Sequence, residues 1–218
     1  MTGDTDVQVL HQHVQSFALR NAMFCTGVCK SLHSSMQNGG LPFVICKMNR
    51  ITKTKEDMFR EVRRKDRLWD TAEAAGLLET GEYGFLSMVG TDGFGYGIPI
   101  SFVKSGNSLY FHCAPEGYKL DCLRENPRVS FCVVGKTRVI PHQFTTAYES
   151  VHLFGTVRFD LSDEERRRAL RLLVKKYSPE YEEIGEKYIE KSFHRTHILR
   201  LDIEHLSGKC KRIKGIEQ

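Results

Sequence analysis

Residues 83–114 run YGFLSMVGTDGFGYGIPISFVKSGNSLYFHCA. Tyr83–Gly90 reads as a strand, Thr91-Asp92-Gly93 as a turn and Tyr96–Lys104 as the returning strand. Ser105-Gly106-Asn107 turns the chain again, and Ser108–Ala114 forms a third strand. Connections this short can join only antiparallel neighbours, because a parallel pair needs a long crossover. The glycines at Gly93, Gly95 and Gly97 lie between two strands with no helix after them, so they read as hairpin chemistry and not as a dinucleotide-binding loop.

The same punctuation extends outward. Upstream, Asp70-Thr71-Ala72-Glu73 is a capping box and Gly81 a stop, which predicts a helix over 71–80. Downstream, Gly117–Glu125 reads as a brief helix stopped by Asn126-Pro127, and Arg128–Gly135 as a fourth strand. Tyr148–Phe159 makes a fifth strand with a bend at Gly155. A second capping box at Ser162–Glu165 opens a helix in which Leu170, Leu173, Val174 and Tyr177 recur at helical spacing. Tyr181, Ile184 and Tyr188 mark another helix, and His197–Leu206 is the last strand. The fold class is mainly β with helical inserts, and the expected architecture is an antiparallel six-stranded barrel.

With 218 residues, 40% hydrophobic and 27% charged, the chain can bury a core without staples. Its formal charge of +5 is modest, and no dense basic stripe points to nucleic acid. The apolar runs are too short for a bilayer span. Seven cysteines without framework spacing fit a reducing compartment, and the expected location is cytoplasmic. Asp4 and Asp6 stand where a signal or transit peptide would be basic.

Residues 1–57 differ from the rest. They hold no Tyr or Trp, four of the six Met, and a polar stretch from Ser31 to Gly40 without a clear period. They are expected to be a disordered extension or the product of a translation start set too far upstream, with the domain occupying 58–218. Cys25, Cys29, His33 and Cys46 do not match the common zinc spacings. The cluster Arg60, Arg63, Arg64, Lys65 and Arg67 is diluted by Glu61 and Asp66 and reads as a solvated approach to the first helix.

The chemistry-bearing segment is Leu109–Asp121. A strand ends, Gly117 turns the chain, and a helix starts with N–H groups that lack internal partners. With Lys119 just inside that helix, the arrangement suits a terminal phosphate; a solvated lysine beside an ordinary cap satisfies the same pattern. His112 is either a ligand contact and proton donor or a hydrogen-bonded structural histidine. Pro99 belongs on an edge or at a bulge, where backbone can meet a planar ligand or simply blunt the edge. Cys113, Cys122 and Cys132 read as small core residues.

Arg63–Arg67, Gly81–Gly84, Leu109–Asp121, Asn126–Val129 and Tyr148–Val151 together resemble the Nim-type 5-nitroimidazole-resistance proteins, a group within the pyridoxamine 5'-phosphate oxidase-related, FMN-binding split-barrel superfamily. The resemblance covers about residues 58–208. It implies a split-barrel homodimer with FMN at the subunit interface. Gly117 and Lys119 would hold the phosphate, Pro99, Ile100 and Ser101 would run beside the isoalloxazine ring, His112 and Cys113 would lie near the ribityl chain or ring, and Tyr148, Glu149 and Ser150 would close the pocket. The parent oxidases carry Ser and Arg just before the phosphate lysine, where this chain has Gly117 and Tyr118. The implied activity is an FMN-dependent oxidoreductase reducing small, nitroaromatic-type acceptors, with His112 as the catalytic proton donor, an electron donor of unspecified identity, and no metal. A non-catalytic flavin carrier and a haem-binding split barrel are the other readings.

Overall fold

The computed structural model describes residues 58–213. The extension at 1–57, including the Cys25, Cys29, His33 and Cys46 set, lies outside the described residues.

Strand β2 (Tyr83–Val89) shows the rule that builds the sheet. Gly84, Leu86 and Met88 are buried while Tyr83, Phe85, Ser87 and Val89 are exposed, the period of two expected of a half-buried strand. It is followed by β3 (Gly95–Ser101), β4 (Val103–Ser105), β5 (Ser108–Cys113), β6 (Arg128–Ile140), β7 (Thr145–Arg158) and β8 (His197–Lys211). A two-residue strand, β1 (Leu68–Trp69), adds to β8. The order across the sheet is β3-β2-β6-β7-β8-β5-β4, antiparallel throughout.

The ends of that order, β3 and β4, are consecutive in the chain and separated only by Phe102. The sheet therefore curls until its two ends share one crossing of the chain, which is the split-barrel closure. The single strand expected over Tyr96–Lys104 is thus two strands: β3 pairs with β2, β4 pairs with β5, and the chain changes partner at Phe102. With β3 and β4 taken as one bent strand, the barrel has the expected six. The hydrogen bonds that Phe102 loses at this corner are replaced by side chains. Its N–H donates to the Tyr177 hydroxyl (2.9 Å), and its carbonyl accepts from Lys176 Nζ (2.9 Å).

Three strands run past their expected ends. β6 continues to Ile140 and β7 starts at Thr145, so their tips form a long ribbon turned by Pro141–Gln143. β8 extends to Lys211. The bend expected at Gly155 is present as a register shift between Phe154 and Gly155.

Inside the barrel Phe102, Phe111 and Phe131 are fully buried, with Phe131 at 5.0 Å from the Phe102 ring and 5.3 Å from the Phe111 ring. Helix α1 (Thr71–Thr80) forms as its capping box dictates. Asp70 accepts from the N–H groups of Ala72 and Glu73, and Ala74 and Leu78 are buried in the core. Helices α3 (Asp163–Tyr177) and α4 (Glu182–Ser192) cover a second cluster with Tyr110 and Ile198 and are tied to each other by Arg171–Glu186 and Arg167–Glu190 pairs. Among the described residues no helix is long and apolar enough to cross a membrane.

Candidate functional site

The end of β5 leads through residues 114–117 into helix α2 (Tyr118–Glu125). Gly117 is the residue before the helix and has φ of +126°, a conformation that side chains rarely adopt. No side chain caps the helix, and of its first turn the Leu120 N–H donates to the Gly117 carbonyl at 2.8 Å, which leaves the N–H groups of Tyr118 and Lys119 at the exposed start, where the helix dipole favours an anion. Asp121, the acid of that first turn, is held by Arg124 at 3.0 Å.

Lys119 stands close enough to influence both residues at the end of β5. Loss of water around the imidazole, and secondarily the Lys119 charge, push the His112 pKa down. Burial pushes the Cys113 thiol up, with Lys119 opposing. His112 therefore stays neutral at pH 7, one ring nitrogen donating and the other accepting. Cys113 stays a thiol, and this environment is not that of a reactive thiolate. The structure thus brings His112, Gly117 and Lys119 together on the outer side of β5, whereas Cys113 faces the barrel core.

Pro99, Ile100 and Ser101 lie on β3, whose only strand partner among the described residues is β2. Pro99 sits opposite Phe85 and has no N–H to give, so it fits the pair whose backbone groups point away from the partner strand. By the same alternation Gly97 and Ser101 aim their N–H and C=O groups at the free edge. That edge offers acceptors at Gly97, Pro99 and Ser101 and donors at Gly97 and Ser101, a mixed row suited to the rim of a planar heterocycle. The edge strand and the helix start meet: the Tyr96 and Tyr118 rings are 5.0 Å apart, edge to face. The strip from Tyr96 to Ser101 is roughly 17 Å long at the usual strand rise, comparable with an extended ribityl phosphate plus ring.

Tyr148, Glu149 and Ser150 are not part of this group within one chain. They pair with Lys211, Cys210 and Lys209 of β8, whereas His112 pairs with Ile198 at the strand's other end. The separation is roughly 35 Å measured along β8. Sequence reasoning missed Asp92 and Tyr96 and gave Tyr118 no contact. The Tyr118 hydroxyl donates to Asp92 Oδ1 at 3.2 Å, across 26 residues of chain. No short-range pattern signals that contact.

Among the other residues singled out from the sequence, Cys122 is fully buried, but Cys132 is only partly so. It lies on the outer face of β6, between Phe85 and His152 in the register, and so is not a core residue. Arg64 and Lys65 are exposed and paired with Asp66 and Glu61, as expected of a solvated segment. No group of three or more potential metal ligands is present among the described residues.

No curated protein matches the chain. Solved structures do. The flavocytochrome Anf3 from Azotobacter vinelandii is 19% identical with a TM-score of 0.59, over 76% of this chain and 79% of that one. An FAD- and haem-binding protein from Mycobacterium smegmatis is 22% identical with a TM-score of 0.54, over 68% and 75%. A candidate 5-nitroimidazole antibiotic resistance protein from Bacteroides thetaiotaomicron is 19% identical with a TM-score of 0.54, over 66% and 85%. At these identities the likeness is one of fold. The family description "Pyridoxamine 5'-phosphate oxidase" matches residues 70–210, a span that takes in the whole barrel from the cap of α1 nearly to the end of β8, and on that match the chain belongs to the pyridoxamine 5'-phosphate oxidase family.

Proposed function

We propose that this protein is an FMN-dependent oxidoreductase that reduces small nitroaromatic-type acceptors. One observation carries the reading: an uncapped helix start with Lys119 beside it meets the free edge of β3 at the Tyr96–Tyr118 contact. A dianion would be held by the Gly117–Lys119 turn, and a planar ring by the backbone of Gly97, Pro99 and Ser101. The flavin-binding proteins of the same fold support this reading.

Bound FMN would supply the two-electron redox chemistry. The chain's own residues position it. Lys119 neutralises the phosphate, and Gly117 allows the backbone to approach. The free edge of β3 would offer its backbone groups to the rim of the ring. His112, neutral at pH 7, would relay a proton to the reduced acceptor, taking one from water on one ring nitrogen as it gives one from the other. Within one chain Tyr148, Glu149 and Ser150 lie far along β8 from His112, so for them to close the pocket a second copy of the chain would have to supply them, and the site would be that of a homodimer.

The test is an absorption spectrum of the purified full chain and a titration with FMN, followed by turnover with a chemically reduced flavin and a nitroimidazole panel. Flavin bands and acceptor reduction faster than by free FMN are expected. A preparation that stays colourless at saturating FMN refutes the reading. Bound flavin without turnover would make the protein a carrier, and a Soret band would make it a haem protein.

A further inference from the structure

At its Tyr96 end the free edge of β3 meets a wall. The hairpin between β2 and β3 closes tightly: Gly90 N–H donates to Phe94 O at 2.7 Å and Gly93 N–H to Gly90 O at 2.9 Å. Asp92 Oδ1 accepts from the Phe94 N–H at 3.1 Å, which fixes the carboxylate. The same oxygen accepts from the Tyr118 hydroxyl at 3.2 Å, and the Tyr118 ring rests edge-on against Tyr96. Gly90 is what leaves room for this clasp. A Cβ there would lie 2.5 Å from Asp92 Oδ1 and 2.6 Å from the Tyr118 hydroxyl oxygen. Tyr118 is the first residue of α2, so the clasp bridges the helix start and the hairpin directly beyond the anion turn.

Resting on the flavin reading above, we infer that the Tyr118–Asp92 clasp is a specificity determinant that admits a flavin ending in a terminal monophosphate and rejects one whose phosphate continues into a second phosphate and adenosine. Two physical terms act. The Tyr118 side chain, standing between the Gly117–Lys119 turn and the hairpin, would obstruct a chain continued from a phosphate held at that turn toward Asp92. Asp92, exposed on the hairpin and bonded to Tyr118, would set a negative charge beside a phosphate chain continued past Tyr118, and like charges at short range repel.

Fluorescence titration of the full-length apoprotein with FMN and with FAD tests the inference. The wild type is expected to bind FMN at least about tenfold more tightly than FAD. Asp92→Asn keeps the acceptor oxygen and removes the charge; it is expected to raise FAD affinity several-fold and to leave FMN within about twofold. Tyr118→Ala opens the wall and narrows the ratio further, and Tyr118→Phe, which keeps the ring, narrows it less. If Tyr118→Ala does not fold, judged by its melting curve, the Asp92→Asn result and the wild-type ratio decide. Equal FMN and FAD affinities in the wild type, or an unchanged ratio in Asp92→Asn, would overturn the inference while leaving flavin binding intact. Binding of neither flavin would defeat both readings.

Discussion

The hydroxyl of Tyr177 and the backbone N–H of Phe102 are 2.9 Å apart, although 75 residues separate them in the chain. Tyr177 ends α3, and Phe102 is the one residue between the two strands that close the barrel. The same hydroxyl lies 2.6 Å from the Glu82 carbonyl, to which it donates. Lys176 completes the corner. Its ammonium bonds the Phe102 carbonyl and lies 3.9 Å from the centre of the Phe102 ring. The helix end thus supplies what the ladder cannot at the point where the strand changes partner.

Tyr177→Phe should therefore destabilise the fold although the hydroxyl lies at the surface end of the helix. It leaves the N–H of fully buried Phe102 without its acceptor, at a cost of about 1–3 kcal/mol. Urea unfolding monitored by circular dichroism would measure it, and an unchanged midpoint would show that the corner holds without the bond.

Lys119→Ala should weaken FMN binding by about 1.5–3 kcal/mol, the usual worth of a hydrogen bond to a charged group. Lys119→Arg should recover much of the loss, because the charge is kept. The dissociation constant from a fluorescence titration decides, and equal values for wild type and alanine variant would place the phosphate elsewhere.

Stability should fall as the solution is acidified below about pH 6.5. His112, His152 and His197 all have pKa values lowered in the fold, with burial the largest cause in each and nearby positive groups adding to it. The unfolded chain then binds more protons than the folded one between the folded values and the ordinary 6.5, so stability is complete above 6.5 and is lost as pH drops through that window. Glu165 and Asp202, held below the usual carboxylate range by Arg200 against the opposing effect of burial, withdraw their contribution only further down, below about pH 4.5. Melting temperatures recorded from pH 8 to pH 5 check the histidine part, and a flat profile would contradict it.

Mixing two variants that are each impaired at an FMN concentration limiting for both tests the shared site. Lys119→Ala and Tyr148→Ala lie in the two separate halves, so a mixed dimer regains one site in which both residues are native. Acceptor reduction should rise after the two proteins are unfolded together and refolded. Activity that does not rise, with mixed dimers present by native mass spectrometry, would place both residues in one subunit's site.

Much of the architecture was legible in short stretches of sequence because its causes are local. The Asp70 capping box gives α1 its observed limits, and the Ser162 box starts α3 where the spacing of Leu170 and Leu173 requires. The bend at Phe102 had a weaker signal: Phe102 and Val103 are both buried, which breaks the alternation of a single strand. The ribbon over 135–148 was not legible, since Gly135, Pro141 and exposed Val139 and Phe144 read as loop residues there.

The sequence by itself determined the strand and helix order, the antiparallel pairing of β2 with β3, and the Gly117 turn into the helix that carries Lys119. Each follows from residues only a few positions apart, where backbone sterics, capping and alternation act directly. Tertiary structure alone decided that β3 and β4 sit at opposite ends of one sheet, that Tyr118 meets Asp92, and that Tyr148–Ser150 lie far along β8 from His112. Those facts depend on how the whole sheet curls, and the energy that fixes the curl is the burial of Phe102, Phe111 and Phe131 in a common interior, which no single segment carries.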